Sequence, residues 1–229
     1  MPKALVSVGG EPLIRRVLQR LADAGVGRVV VNVHHFASQI TQYLSENNNF
    51  GLDIAISDET EGLLETGGGI KHAARLFDSE SPVLIHNVDI LSNVNLRKFY
   101  NIAAESEAAA NPVDAVLLVS WRKTKRYLLF DDDMRLVGWT NIETGEVKSP
   151  YPELDPRKCR MYAFAGIHVI SPRMFPLMDA FPEKFSIIDF YLKTCATHNI
   201  KGYVKDDLKL MDIGKLDTLA QAETFLSEL

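Results

Sequence analysis

The stretch of this 229-residue chain best suited to meet a ligand is Leu64-Glu65-Thr66-Gly67-Gly68-Gly69, which leads into Ile70-Lys71-His72-Ala73-Ala74-Arg75-Leu76. Three consecutive glycines strip away every Cβ, so a flat ligand such as a nucleobase could lie against bare backbone. Free N–H groups at the start of the helix that follows favour an anion or an acceptor atom. By composition alone, a flexible loop ahead of a helix is the competing reading. A second chemical position is Asp89, in His86-Asn87-Val88-Asp89, just past an apolar run at 82–86. A carboxylate beyond the carboxyl end of a parallel strand sits where open α/β sheets hold ligands, and Mg²⁺ needs only one or two protein oxygens there. Capping the next helix is the alternative role, but Asn93 and Asn95 lie closer to that helix and suit it better. Asp212 is a second isolated aspartate, in an extended segment at 208–214. Asp131-Asp132-Asp133 lacks the rest of a calcium loop and reads as a turn. Gly166, inside a strand at 161–170, marks a bulge or a ligand pressing on backbone. His168, in the same strand, reads as a packed sheet residue rather than a catalyst.

These positions need a scaffold, and strands alternating with helices supply one. Residues 11–24 form a helix with Leu13, Ile14, Val17, Leu18 and Leu21 on one face, closed by Gly25 and Gly27. The β-branched run 28–33 is a buried strand. A helix over 36–46, a strand over 52–56, the glycine loop with its helix, and a strand over 82–86 follow. A helix over 95–110 then precedes a fourth strand at 114–119. This spacing means βαβ units and a mostly parallel mixed sheet. A hairpin at 127–130 and 134–139 and a polar loop at 141–156 interrupt the pattern, so residues 120–160 read as a β-rich insertion in a single domain spanning 1–229. Helices over 172–180 and 187–197, the latter capped by Ser186, precede a strand at 200–204 and a closing helix at 215–226.

Composition sets the outer limits. A formal charge of −5 with no Lys/Arg block argues against a nucleic-acid groove. Cys159 and Cys195 have no paired spacing, which fits a reduced cytoplasmic protein. No apolar run approaches the roughly 20 residues of a membrane span.

In order along the chain, the Thr-Gly-Gly-Gly run, Asn87-Val88-Asp89, Phe164-Ala165-Gly166-Ile167 and Asp212-Ile213-Gly214 resemble the sugar-1-phosphate nucleotidylyltransferases. The likeness is nearest to N-acetylmuramate-1-phosphate uridylyltransferases, which carry a similar Leu-Glu-Thr-Gly-Gly-Gly, and next to mannose-1-phosphate guanylyltransferases. The resemblance implies a Rossmann-like, glycosyltransferase-A-like α/β domain. It also implies Mg²⁺-dependent transfer of a nucleoside monophosphate, uridylyl rather than guanylyl, from a triphosphate to a sugar-1-phosphate. Position by position, it gives Lys3 to the phosphates and Asp89 to catalysis and the metal, with Asp212 as second metal ligand. Glu65, Thr66, Gly67 and Asn87 fall to the nucleotide, Gly166 and Asp189 to the sugar side. Asp189 serves equally as a structural helix residue. A homo-oligomer is compatible with the likeness; nucleic acid and membrane are not expected partners.

The likeness departs at the front. Members of the family open with a buried strand and a glycine-rich loop ending in Gly-Thr-Arg, whereas this chain begins at the Pro-Lys-x-Leu that follows. About twenty residues, the central strand among them, are therefore expected to be absent, through a misassigned start or a short form. Strands 28–33 and 82–86 would then be left as open apolar edges, with residues 4–8 the nearest stretch to fill the slot. Such a chain is expected to bind triphosphate poorly, turn over little and associate. Two rivals remain. A dinucleotide-binding dehydrogenase needs G-x-G-x-x-G straight after its first strand, which is not found here. A degenerate nucleotide-sugar-binding protein would bind without turnover.

Overall fold

The computed structural model describes residues 1–78, 80–213 and 219–229. The chain enters through a 3₁₀ turn at Lys3–Leu5 and two short strands, β1 (Ser7–Val8) and β2 (Glu11–Pro12), which pair antiparallel. Helix α1 (Leu13–Asp23) follows and buries the apolar stripe of Leu13, Ile14, Val17, Leu18 and Leu21 read from its periodicity. Strand β3 (Arg28–Val33), helix α2 (Ala37–Glu46) and β4 (Asp53–Asp58) form a βαβ unit with the two strands parallel. Helix α3 (Glu65–Ala73) leads to β5 (Val83–His86) and β6 (Ile90–Ser92), and then to α4 (Leu96–Ala104). Asn95 caps α4 by accepting from the Lys98 N–H at 2.9 Å, which leaves Asp89 free of that task.

Next come β7 (Ala115–Ser120), β8 (Arg126–Phe130), β9 (Leu136–Asn141), β10 (Glu146–Lys148) and the 11-residue β11 (Arg160–Ile170). Helix α5 (Ile187–Thr194), β12 (Ile200–Val204), β13 (Leu210–Asp212) and α6 (Leu219–Leu226) complete the order. The main sheet runs β10-β9-β8-β11-β7-β12, with β5 also on β11. Apolar clusters lie on both faces. One gathers α1, α4, Val29, Val31 and Leu84, the other Ile70 of α3, Ile85, Ile187 and the aromatics of α5. This is an α/β fold with a mixed sheet, as the alternation predicted.

The balance of pairings needs correction. Among the described residues only β12–β7 and β3–β4 are parallel; β11 runs antiparallel to β5, β7 and β8. The long strand after the hairpin returns through the middle of the sheet, so the strands flanking it become its antiparallel partners. The β3–β4 pair stands as a ladder of its own. The expected hairpin is β8–β9, and its aspartates do make a turn: Asp131 Oδ1 accepts from the Arg135 N–H at 2.8 Å. The expected loop after it contains the short strand β10, and residues 172–180 wind as a 3₁₀ helix interrupted by Pro176 rather than an α-helix. Helix α4 stops at Ala104, well short of 110. Gly214 and the start expected for the last helix at 215 lie outside the described residues.

Candidate active site

The glycine run is not a loop. Gly67, Gly68 and Gly69 lie inside α3 and are buried. A Cβ on Gly67 would stand 2.4 Å from the Phe185 ring, and one on Gly68 2.1 Å from the Glu183 carbonyl oxygen. The Gly67 and Gly68 N–H groups both donate to Phe185 O, at 2.9 and 3.1 Å. Their bare faces therefore let the 183–185 backbone close onto the helix, and two of the first-turn donors expected for a ligand are spent on that contact. Thr66 Oγ1 joins the same clasp by accepting from the Ile187 N–H at 3.1 Å. Glu65, with φ of +62°, projects beside Lys184 at 3.9 Å.

Beyond β5 the chain turns at Asn87, whose N–H donates to Gly166 O at 3.1 Å. Gly166 has φ of +73°, and the β11–β7 register shifts between Phe164 and His168, so the expected bulge is present. A Cβ there would meet Asn87 Nδ2 at 2.8 Å. Asp89 follows two residues on, ion-paired through Oδ2 with Lys3 Nζ. The β13–β6 ladder sets Asp212 opposite Ile90, and Ile213 N–H donates to Asp89 O at 2.9 Å. Two aspartates far apart in sequence thus have neighbouring backbone places, Asp212 in β13 and Asp89 in the turn that enters β6. Asp189 lies apart from them in the first turn of α5, 3.7 Å from Lys148 of β10.

Sequence reasoning missed Glu59. It is a buried carboxylate just past the carboxyl end of β4, accepting from Asn32 Nδ2 at 2.6 Å and from Leu64 N–H at 3.3 Å. The positional argument that singled out Asp89 applied equally to Asp58-Glu59. Asn32, Glu59, Thr66, Asn87, Asp89 and Gly166 therefore gather where β3, β4 and β5 end, the edge at which open α/β sheets bind ligands.

As to metal, among the described residues no three His, Cys, Asp or Glu side chains cluster. A carboxylate that already faces a cation, with a second aspartate at a neighbouring backbone position, fits Mg²⁺. That ion takes one or two protein oxygens and completes its shell with water and substrate phosphates.

Two histidines border this region in neutral form. His168, buried in β11, shares a 2.5 Å hydrogen bond between Nδ1 and the Tyr191 hydroxyl, and burial lowers it to about 3. His86, at the end of β5, is lowered by burial to about 4. A folded-state value below the unfolded value of about 6.5 means that the unfolded chain binds more protons. Stability is then complete above about pH 6.5 and is lost as pH falls. For His168 the slope approaches ~1.4 kcal/mol per pH unit, or roughly 2 kcal/mol between pH 7 and 5. Urea unfolding at those two pH values measures it, and His168→Gln is expected to reduce the difference by about that amount; an unchanged difference would place the titration elsewhere.

The chain is an α/β domain with Asn32, Glu59 and Asn87 at the carboxyl ends of β3, β4 and β5. The profile of the family described as "Nucleotidyl transferase" matches residues 1–228, and the chain belongs to that family. The N-acetylmuramate alpha-1-phosphate uridylyltransferase of Caulobacter vibrioides is 32% identical over 99% of this chain and 89% of its own length. The mannose-1-phosphate guanyltransferase of Kluyveromyces lactis is 24% identical over all of this chain and 60% of its own length. Among solved structures, HddC from Yersinia pseudotuberculosis superposes with a TM-score of 0.74 at 22% identity, covering 99% of this chain and 90% of that one. A UDP-glucose pyrophosphorylase complexed with UDP-glucose gives 0.76 at 13% identity, covering 100% and 91%. Among the described residues no helix is long and apolar enough to cross a membrane.

Proposed function

We propose that this protein transfers a uridylyl group from UTP to a sugar-1-phosphate, releasing pyrophosphate, in the cytoplasm. The observation that supports the reading is the β13–β6 ladder, in which the backbone of Asp212 runs beside that of Asp89, next to the Asn87–Gly166 contact past the end of β5. The uridylyltransferase likeness over nearly the whole chain supports the choice of base and of an N-acetylmuramate-like sugar. Mg²⁺ held by Asp89 and Asp212 would neutralise charge on the triphosphate. The chain's own part is positioning. Lys3, released from Asp89, supplies a point charge to phosphate oxygens, and Glu59 and Asn32 fix the entry to α3, from which Glu65 and Thr66 face the base. Gly166 lets the sugar approach backbone, with Asp189 and Lys148 at the sugar side. No general base is required, because the attacking phosphate monoester is largely ionised at pH 7. Transfer is then a matter of holding two anions in line.

Pyrophosphate release with UTP or GTP, each against N-acetylmuramate-1-phosphate and mannose-1-phosphate, tests this. The expected result is kcat/KM at least about tenfold higher for UTP with the former, the discrimination of one or two well-placed contacts. Faster use of GTP would overturn the base assignment. A second reading, binding without turnover, is favoured by one observation, the cavity of about 1090 Å³ that opens between β3 and β5 beside the site. Saturable UTP binding with no pyrophosphate would decide for it.

A further inference from the structure

Two tryptophans stand in one row across the main sheet, and only one of them is covered. Continuing the β11–β7 register by one residue past Ala163 and Ser120 puts Trp121 opposite Tyr162, and their rings touch, with centroids 4.4 Å apart. Tyr162 pairs in turn with Leu128, Leu128 with Trp139, and Trp139 with Lys148. Directly opposed residues share a face, so these side chains form a single row. At the β10 end Lys148 Nζ lies 5.3 Å from the centre of the Trp139 ring and 3.7 Å from Asp189. At the β7 end Trp121 is 68% exposed. Strands β5 and β7 both run antiparallel to β11, so Trp121 follows the carboxyl end of β7 on the same edge at which Asn87 follows that of β5.

The next residue carries a charge and is anchored. Arg122 Nη2 donates to Phe164 O at 3.0 Å. That carbonyl stands just before the bulge, where the β11–β7 register shifts, and one N–H suffices to answer it. The rest of the planar fork is uncommitted, and among the described residues Arg122 has no carboxylate partner. Lys125, in the same loop, is instead paired with Glu143 at 2.7 Å. Phe164 is two residues from Gly166, about 7 Å along the strand. The guanidinium is therefore fixed within reach of a substituent on a sugar laid against Gly166. Trp121 stands next to it in the chain as an apolar wall, and a charge pair partly shielded from water is screened less than an open one.

We propose that Arg122, beside Trp121, is a specificity-determining residue that pairs with a carboxylate carried by the sugar, so that the preferred acceptor is an acidic sugar-1-phosphate. The inference rests on the proposed transfer reaction and goes further by naming the group that selects the sugar. N-acetylmuramate-1-phosphate carries such a carboxylate on its lactyl ether; N-acetylglucosamine-1-phosphate is the same sugar without it. An arginine fork takes both oxygens of a carboxylate at once. A neutral sugar leaves the guanidinium to water, so selection comes from attraction to the acid rather than from exclusion of its neutral counterpart.

Calorimetric titration of the full chain with sugar phosphates tests this, in Mg²⁺, with and without α,β-methylene-UTP, which cannot be cleaved at the reacting bond. N-acetylmuramate-1-phosphate is expected to bind at least about tenfold more tightly than N-acetylglucosamine-1-phosphate, the scale of one charge-assisted pair. Its lactyl methyl ester, close in shape but without that charge, should bind like the neutral sugar. Arg122→Gln should erase the preference, and Arg122→Lys should restore part of it, a point charge replacing a fork. Trp121→Phe should keep the preference, whereas Trp121→Ala should cut it about threefold as water reaches the pair. Lys125→Gln is the control for diffuse charge and should leave the preference unchanged. Should Arg122→Gln fail to fold, the comparison of acid with ester on the parent chain decides alone. Equal binding of the three ligands, a preference that survives Arg122→Gln, an equal loss in Lys125→Gln, or no binding of any of them overturns the proposal. Pyrophosphate release is a separate readout. Transfer to the neutral sugar as fast as to the acid removes this inference and leaves the nucleotidyl reading standing; a binding preference without release does the reverse.

Discussion

Replacing Asp89 by asparagine is expected to lower pyrophosphate release by about 10²–10³-fold, the scale on which a preorganised charge partner acts. The fold should be hardly affected. Asparagine has the same shape, and the ion pair it breaks joins Lys3, 41% exposed, to a carboxylate 22% exposed, so its contribution to stability is below ~1 kcal/mol. A melting temperature within a degree or two of the parent, with turnover lost, separates a functional role from a structural one. Asp212→Asn should give a loss of similar size, and the double variant should fall little further, since two groups acting on one ion are not additive. Undiminished turnover by Asp89→Asn would remove this aspartate from the reaction and with it the proposed metal site.

The largest stability effect is expected from Gly68→Ala. In an unobstructed helix interior this change stabilises by about 1 kcal/mol, because alanine loses less backbone freedom than glycine. Here the new methyl would stand 2.1 Å from Glu183 O and 3.0 Å from Leu64 Cβ. A carbonyl anchored in the clasp beside Phe185 cannot move aside cheaply, so α3 and the 183–185 segment must part. The expected cost is about 3 kcal/mol, the upper end of overpacking penalties. For a chain of this length that is a fall of roughly 6–12 °C in Tm. Gly62→Ala is the control, since nothing lies within 4 Å of a Cβ there. A stabilised Gly68→Ala would show that the clasp is loose.

That same glycine run marks where sequence reading stopped. Helix α1 was legible because its apolar residues recur with helical spacing and bury one face. Three glycines in a row carry the poorest propensity of any residue but proline and so read as a loop; tertiary contact with 183–185 overrides that propensity. The isolated aspartates were legible as single positions, by the general rule about strand ends. That Asp212 belongs with Asp89 came only from the family resemblance; the neighbouring backbone places of the two depend on β13 pairing with β6, which no spacing encodes. Glu59 was hidden in the run Asp58-Glu59-Thr60-Glu61, where only burial distinguishes it from its exposed neighbours. Antiparallel pairing at β11 was likewise invisible, since an all-apolar run reads the same in either direction.

Strand β11 also couples two parts of the molecule. Its first residues, 160–162, carry the β8–β9 hairpin, Ala163 and Phe164 pair with β7, and beyond the bulge 168–170 are gripped between β5 and β7. Gly166 stands between the two grips, about 13 Å along the strand from Tyr162 at 3.3 Å per residue. The strand therefore links the hairpin to the middle of the sheet, with a joint at Gly166, where the β11–β7 register shifts and a Cβ would face Asn87. A load on the hairpin, whether a bound molecule pressing on β10 or a pull on the Lys148–Asp189 contact, is delivered at that joint. Remote surface changes around residues 126–148 would then register as altered grip on whatever lies against Gly166, with no new contact made there.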